Sequence, residues 1–172
     1  MNMGNAGIIV EGSSEEEALA EGLKRLRMPR EAVTWQAQAE ADEELRPGAK
    51  PRVLLQVRIR PQYLADMALD HVANMLDISG VLATVTQDFT DGIIFIRVES
   101  KEAAAVLIGR NGQNLDAFQH LVTRMILPVG VEAPMLVVDV EDYRQRQFDK
   151  LKGLIKRAVA RAKETGNEIE LD

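Results

Sequence analysis

No cysteine occurs in the 172 residues, which excludes disulfides and thiolate metal sites. The two histidines, His71 and His120, are well separated in the sequence, so neither a metal centre nor a cofactor is expected. Clustered base, nucleophile and metal sets are missing as well, so no catalytic residue is nominated and an enzyme is not expected. There is no run of 18 apolar residues, and the opening Met1-Asn2-Met3-Gly4-Asn5 lacks the basic and hydrophobic regions of a signal peptide. Neither membrane insertion nor secretion is therefore expected, and the expected location is the cytoplasm. An excess of positive charge is also absent. The net charge of −6 argues against a chain that coats nucleic acid by bulk electrostatics, because such affinity comes from Lys and Arg neutralising phosphates.

What is present is an ordinary globular composition, 46% hydrophobic and 28% charged, enough for one domain or two small ones with a buried core. The charge is unevenly spread. Residues 8–48 hold ten acidic against five basic side chains, whereas 141–164 hold eight basic against four acidic. Only the rear part is suited to meet phosphate.

Taken in order, Ile8-Ile9-Val10 reads as a strand, and Ser13 with Glu16 has capping-box spacing ahead of a helix lined by Ala18, Leu19, Leu23 and Leu26. Met28-Pro29 ends that helix. Val33, Trp35, Ala37 and Ala39 alternate with polar neighbours as a half-buried strand, with Trp35 the expected anchor of the core. An acidic, Pro/Gly-rich loop over 41–51 leads to a third strand, in which Val53, Leu55, Val57 and Ile59 alternate before Pro61. Next come a helix from Tyr63 with His71 on its apolar face, two β-branched runs around a Phe89-Thr90-Asp91-Gly92 turn, and a further helical stretch.

That stretch runs into Ile108-Gly109-Arg110-Asn111-Gly112-Gln113-Asn114-Leu115. Two glycines bracket two polar residues between two helical patterns, a Gly-x-x-Gly loop. With no Cβ at either end, the backbone can turn sharply and a phosphate can approach the amides. Arg110 puts a positive charge at the tip, and a helix beginning at Gly112 or Gln113 points its unbonded N–H groups at the loop. After it, 128–134 reads as loop, Met135 to Val140 as a strand, and Tyr143, Phe148, Leu151, Ile155, Ala158, Val159 and Ala162 as the apolar stripe of a last, basic helix. No stacking aromatic is evident in sequence near the Gly-x-x-Gly loop.

The order α-β-β-α-(GxxG)-α-β resembles the type II KH domain, which clamps about four nucleotides of single-stranded nucleic acid at this loop. The run Ile9-Val10-Glu11-Gly12-Ser13-Ser14-Glu15-Glu16-Glu17-Ala18 resembles the Jag-N domain. The run Gly112-Gln113-Asn114-Leu115-Asp116-Ala117-Phe118-Gln119-His120-Leu121-Val122 is similar to the KH signature of the bacterial Jag family, also called KhpB or SpoIIIJ-associated. The Jag-N loop between the last two strands is usually rich in glycine and lysine; here it is acidic.

The expected architecture is α+β: a Jag-N-like β-α-β-β domain over 1–60, a type II KH domain over 61–140, and a basic amphipathic helix over 141–172. The resemblance implies a bacterial, single-stranded RNA-binding regulator or RNA chaperone with a link to cell shape. Gly109, Arg110, Asn111 and Gly112 would hold the sugar-phosphate backbone, and Ile108, Gln113, Asn114 and Leu115 would form the floor and rim of a base groove. Implied partners are single-stranded RNA and a small single-KH-domain protein or a second copy of the chain. Jag proteins normally continue into a module marked by Arg-x-x-x-His, a motif absent here. The alternative is a protein-interaction scaffold whose KH fold does not bind RNA, suggested by the acidic balance and that missing module.

Overall fold

The computed structural model describes residues 7–38, 52–127, 131 and 135–165. The acidic stretch expected as loop over 41–51, most of the one expected over 128–134, and the segment 166–172 lie outside the described residues.

The first sheet joins β1 (Gly7–Gly12), β2 (Val33–Gln38) and β3 (Val53–Ile59) in the order β1-β3-β2, with both pairings antiparallel. Helix α1 (Glu15–Leu26) covers one face of it. The alternation along β3 turns Leu55, Val57 and Ile59 inward, where Val10, Leu19, Leu26 and Val33 meet them out of solvent. The helix begins one residue later than the Ser13–Glu16 spacing implies. Ser14 is its N-cap, with its hydroxyl accepting from the Glu17 N–H at 3.2 Å, while the Glu17 carboxylate reaches back to the Ser13 N–H at 2.8 Å and to the Ser13 hydroxyl. Arg27, in the left-handed region, closes the other end. Trp35 is half-buried rather than a central core residue: its indole N–H donates to Glu15 Oε1 at 2.8 Å and the Arg30 guanidinium lies 5.0 Å from its ring.

Helix α2 (Pro61–Ile78) starts directly after β3, with proline at its first position, where a missing N–H costs nothing. It packs on a second sheet of β4 (Thr84–Thr90), β5 (Ile93–Glu99) and β6 (Met135–Val140), in that order. β4 and β5 form a hairpin whose two-residue turn, Asp91-Gly92, has φ of 54° and 80°, the left-handed pair that matches strand twist. β5 and β6 are parallel, so the chain between them must cross over, and it does so through α3 (Ala104–Ile108) and α4 (Gln113–Ile126). Ile94, Ile96 and Val98 of β5 and Leu136, Val138 and Val140 of β6 form one inner face, covered by Leu64, Ala68, Val72 and Leu76 of α2 and by Leu115, Val122 and Ile126 of α4. Burying each large aliphatic side chain is worth about 1.5–3 kcal/mol, which makes this layer the main support of the loop between α3 and α4. The fold is mixed α+β and KH-like, with a long helix α5 (Tyr143–Thr165) at its end.

Candidate functional site

The crossover turns between α3 and α4 at the Gly-x-x-Gly sequence. Gly109 has φ 69° and ψ −171°, a region that only glycine occupies without strain. Residues Arg110–Gly112 form a single 3-10 turn, in which Asn111 has φ 54° and Gly112 φ 84°. Asparagine tolerates the left-handed region better than most residues, so its place at the tip suits the backbone. The Gly109 N–H donates to the Ala105 carbonyl at 3.0 Å, ending α3.

Asn114 holds the two helices together at this point. Its side-chain amide donates to the Val106 carbonyl at 2.8 Å, and a Cβ at position 109 would lie 2.5 Å from its Cγ. On the other side of the loop, a Cβ at position 112 would lie 3.0 Å from Cε1 and 3.2 Å from the hydroxyl of Tyr143. Gly109 is needed for space as well as for φ, whereas at 112 the contact is tight and the positive φ is what calls for glycine.

The expected site residues divide by exposure. Arg110, Asn111, Gln113 and Asn114 are exposed, Gly109 is half-buried, and Gly112 is buried beneath Tyr143. Leu115, at 1%, and Ile108, at 9%, belong to the core and hold the loop from below. Among the described residues Arg110 has no carboxylate partner, so its charge is available at the tip. Gly112 is the N-cap of α4 and brings no side-chain acceptor to the first-turn amides, where an anion is favoured.

The start of α5 was not legible as part of this region. Glu141 and Asp142 both have left-handed backbones, φ 51° and 53°, which fold the chain back sharply after β6. Asp139 Oδ1 then accepts from the Arg144 N–H at 3.1 Å, capping α5. The Arg144 side chain donates to the Val138 carbonyl through Nε and to Asp116 Oδ1 and Gln119 Oε1 through Nη2, each at 3.0 Å. Gln119 Oε1 also accepts from the Val138 N–H at 3.0 Å. The outward-facing backbone groups of Val138 on edge strand β6 are thereby satisfied by side chains from α4 and α5. An aromatic ring does stand beside the loop, Tyr143, although it is remote from it in sequence.

A shallow pocket of about 300 Å³ lies elsewhere, lined by Arg97, Glu99, Lys101, Asp139, Glu141 and Asp142 among others. Its four carboxylates against two cations make it a poor place for a phosphate. No group of three or more His, Asp or Glu that could hold a metal occurs among the described residues, and no described helix is long and apolar enough to cross a membrane.

No family model matches the chain. It is similar to the RNA-binding protein KhpB of Clostridium symbiosum, with 23% identity over 167 residues covering 96% of this chain and 74% of the relative. It is also similar to the RNA-binding protein KhpB of Lactiplantibacillus plantarum, with 27% identity over 103 residues covering 60% of this chain and 32% of that relative. Both relatives carry the KhpB name, and the likeness supports assigning the chain to the Jag (KhpB) family. In this chain the loop, the first turn of α4 and the first turn of α5 form one surface, and no other described region brings glycines, an unpaired arginine and a helix start together.

Proposed function

We propose that this chain is a non-enzymatic, single-stranded RNA-binding protein of the cytoplasm that holds RNA at its Gly-x-x-Gly loop. The carrying observation is the loop geometry: two glycines in positive-φ conformations flank an exposed Arg110 with no carboxylate partner among the described residues, directly at the start of α4. Phosphates would lie on the amides of Arg110 to Gly112 with Arg110 beside them, and Gln113 and Asn114 would form the rim. Ile108 and Leu115 would act from beneath, by fixing the helices that carry the loop. The relatives' description as RNA-binding proteins supports the same reading. The division into a Jag-N-like domain over 1–60, a KH domain over 61–140 and a helical segment over 141–172 belongs to this proposal, as do a role as RNA chaperone or regulator and a small single-KH partner.

One observation favours the scaffold reading. Phe148, Leu151, Leu154, Ile155 and Val159 of α5 are 43–59% exposed, an apolar stripe suited to a protein surface. The double variant Arg110→Asp, Asn111→Asp separates the two readings. RNA binding, followed by fluorescence anisotropy with short single strands, should be lost while the melting temperature stays within a few degrees, because two carboxylates would then face the phosphates at a solvent-exposed tip. Unchanged affinity in the folded double variant would favour the scaffold.

A further inference from the structure

We propose that Tyr143 is a base-stacking residue, so that the RNA site continues from the Gly-x-x-Gly loop onto the first turn of α5. This rests on the RNA-binding reading above and extends it to a residue outside the loop.

The ring is packed against the loop's second glycine, with Cε1, the hydroxyl and Cζ 3.0, 3.2 and 3.5 Å from where a Cβ of residue 112 would stand. A nucleotide whose phosphate rests on the amides at 110–112 carries its base within one sugar of that phosphate. The base therefore falls within reach of a ring that touches Gly112. Tyr143 is half-buried, so the residue is not closed off from solvent. Its hydroxyl has no hydrogen-bond partner among the described residues.

The ring's position is held from several directions. Two successive left-handed residues, Glu141 and Asp142, turn the chain back toward the loop, at a backbone cost that must be met by surrounding contacts. Those contacts come from the next residue: Arg144 is bonded to Asp139 through its backbone and to Val138, Asp116 and Gln119 through its side chain. A ring fixed in this way loses little freedom when a base settles on it, and stacking on it is tolerant of base identity because every base has a π-face. The same arrangement uses up the outward N–H and C=O of Val138. Base reading by that part of the β6 edge is blocked, and contact by stacking is what remains. The chain should accordingly discriminate weakly between bases at this position.

The test uses the full chain and uridine oligomers of about eight nucleotides carrying a single 2-aminopurine at each position in turn. Binding is read by anisotropy and stacking by quenching of 2-aminopurine fluorescence. Wild-type protein should quench the reporter at one or two adjacent positions. Tyr143→Phe should keep both affinity and quenching, whereas Tyr143→Leu should weaken binding on the order of tenfold and abolish the quenching, with circular dichroism unchanged. Tyr143→Leu binding as tightly as wild type, or more tightly, with the quenching intact overturns the proposal. If Tyr143→Leu does not fold, wild-type binding without quenching at any position overturns it equally. Failure of the wild-type chain to bind any oligomer removes the RNA-binding reading itself, a distinct result.

Discussion

The side-chain amide of Asn114 and the carbonyl of Val106 meet at 2.8 Å across the loop, and their bond exists because residue 109 between them has no Cβ. Gly109→Ala must either expel that amide or shift the loop, and it adds strain in a backbone region that only glycine tolerates. It should cost about 1–3 kcal/mol of stability and most of the RNA affinity. Asn114→Ala, which removes a single exposed hydrogen bond, should cost about 1 kcal/mol. Urea denaturation midpoints and anisotropy titrations of the two variants check the order.

Asn111 supplies a different contrast, because its φ of 54° penalises side chains with a branched Cβ. Asn111→Gly should leave stability unchanged or slightly altered, while Asn111→Val should lower it by about 1–2 kcal/mol. Equal midpoints for the two would mean that the tip relaxes out of the left-handed region freely.

Leu115 and Phe118 stand in neighbouring turns of α4 but differ in depth: the first is fully buried and the second half-buried. Leu115→Ala should cost about 2–5 kcal/mol, and Phe118→Ala less than the 3–5 kcal/mol of a fully buried phenylalanine. Chemical denaturation decides between them. A larger loss at Phe118 would place it, and not Leu115, at the centre of the packing.

Arg144 and Asp116 form an exposed ion pair at 3.0 Å, yet the two partners should not be equivalent. Asp116→Ala removes only that pair, worth about 0–1 kcal/mol. Arg144→Ala also strips the Val138 carbonyl of its side-chain donor and leaves Gln119 Oε1 with the Val138 N–H alone, so it should cost about 1–3 kcal/mol. Arg144→Lys should recover little, since one ammonium lacks the planar fork that reaches three acceptors. Thermal melts of the three variants test this.

Beyond its first turn α5 carries a basic surface, and only its salt dependence tells whether that surface meets RNA. Each phosphate contact on a single strand adds roughly 0.7 to the slope of log K against log salt. Changing Lys152, Lys156 and Arg157 together to Gln should leave the slope unchanged if these residues are a solvated face, the outcome expected here. A fall of about 2 would make them part of the RNA track.

The element order and the loop were readable because both are written in local periodicity and in glycine spacing. Ser13 and Ser14 are each followed by a glutamate three residues on, so spacing alone could not say which caps α1; the structure uses Ser14 with Glu17. Trp35 was expected in the core on size and alternation, but the indole N–H needs a partner and finds it at the rim in Glu15. Tyr143 against Gly112 had no local signal at all. That contact depends on the parallel placement of β6 and on the left-handed turn at 141–142, and an acidic pair gives no hint of such a turn.

The parallel pairing of β5 with β6 puts the loop inside a crossover, and this has a consequence for synthesis. Strand β6 cannot dock until α3, the loop and α4 have all been made, and the ring that buttresses Gly112 comes later still. A nascent chain that has not yet released residue 144 from the ribosome therefore carries the Gly-x-x-Gly sequence without its support. Competence to grip a single strand should arise late, as α5 emerges, long after the first sheet can already fold on its own contacts.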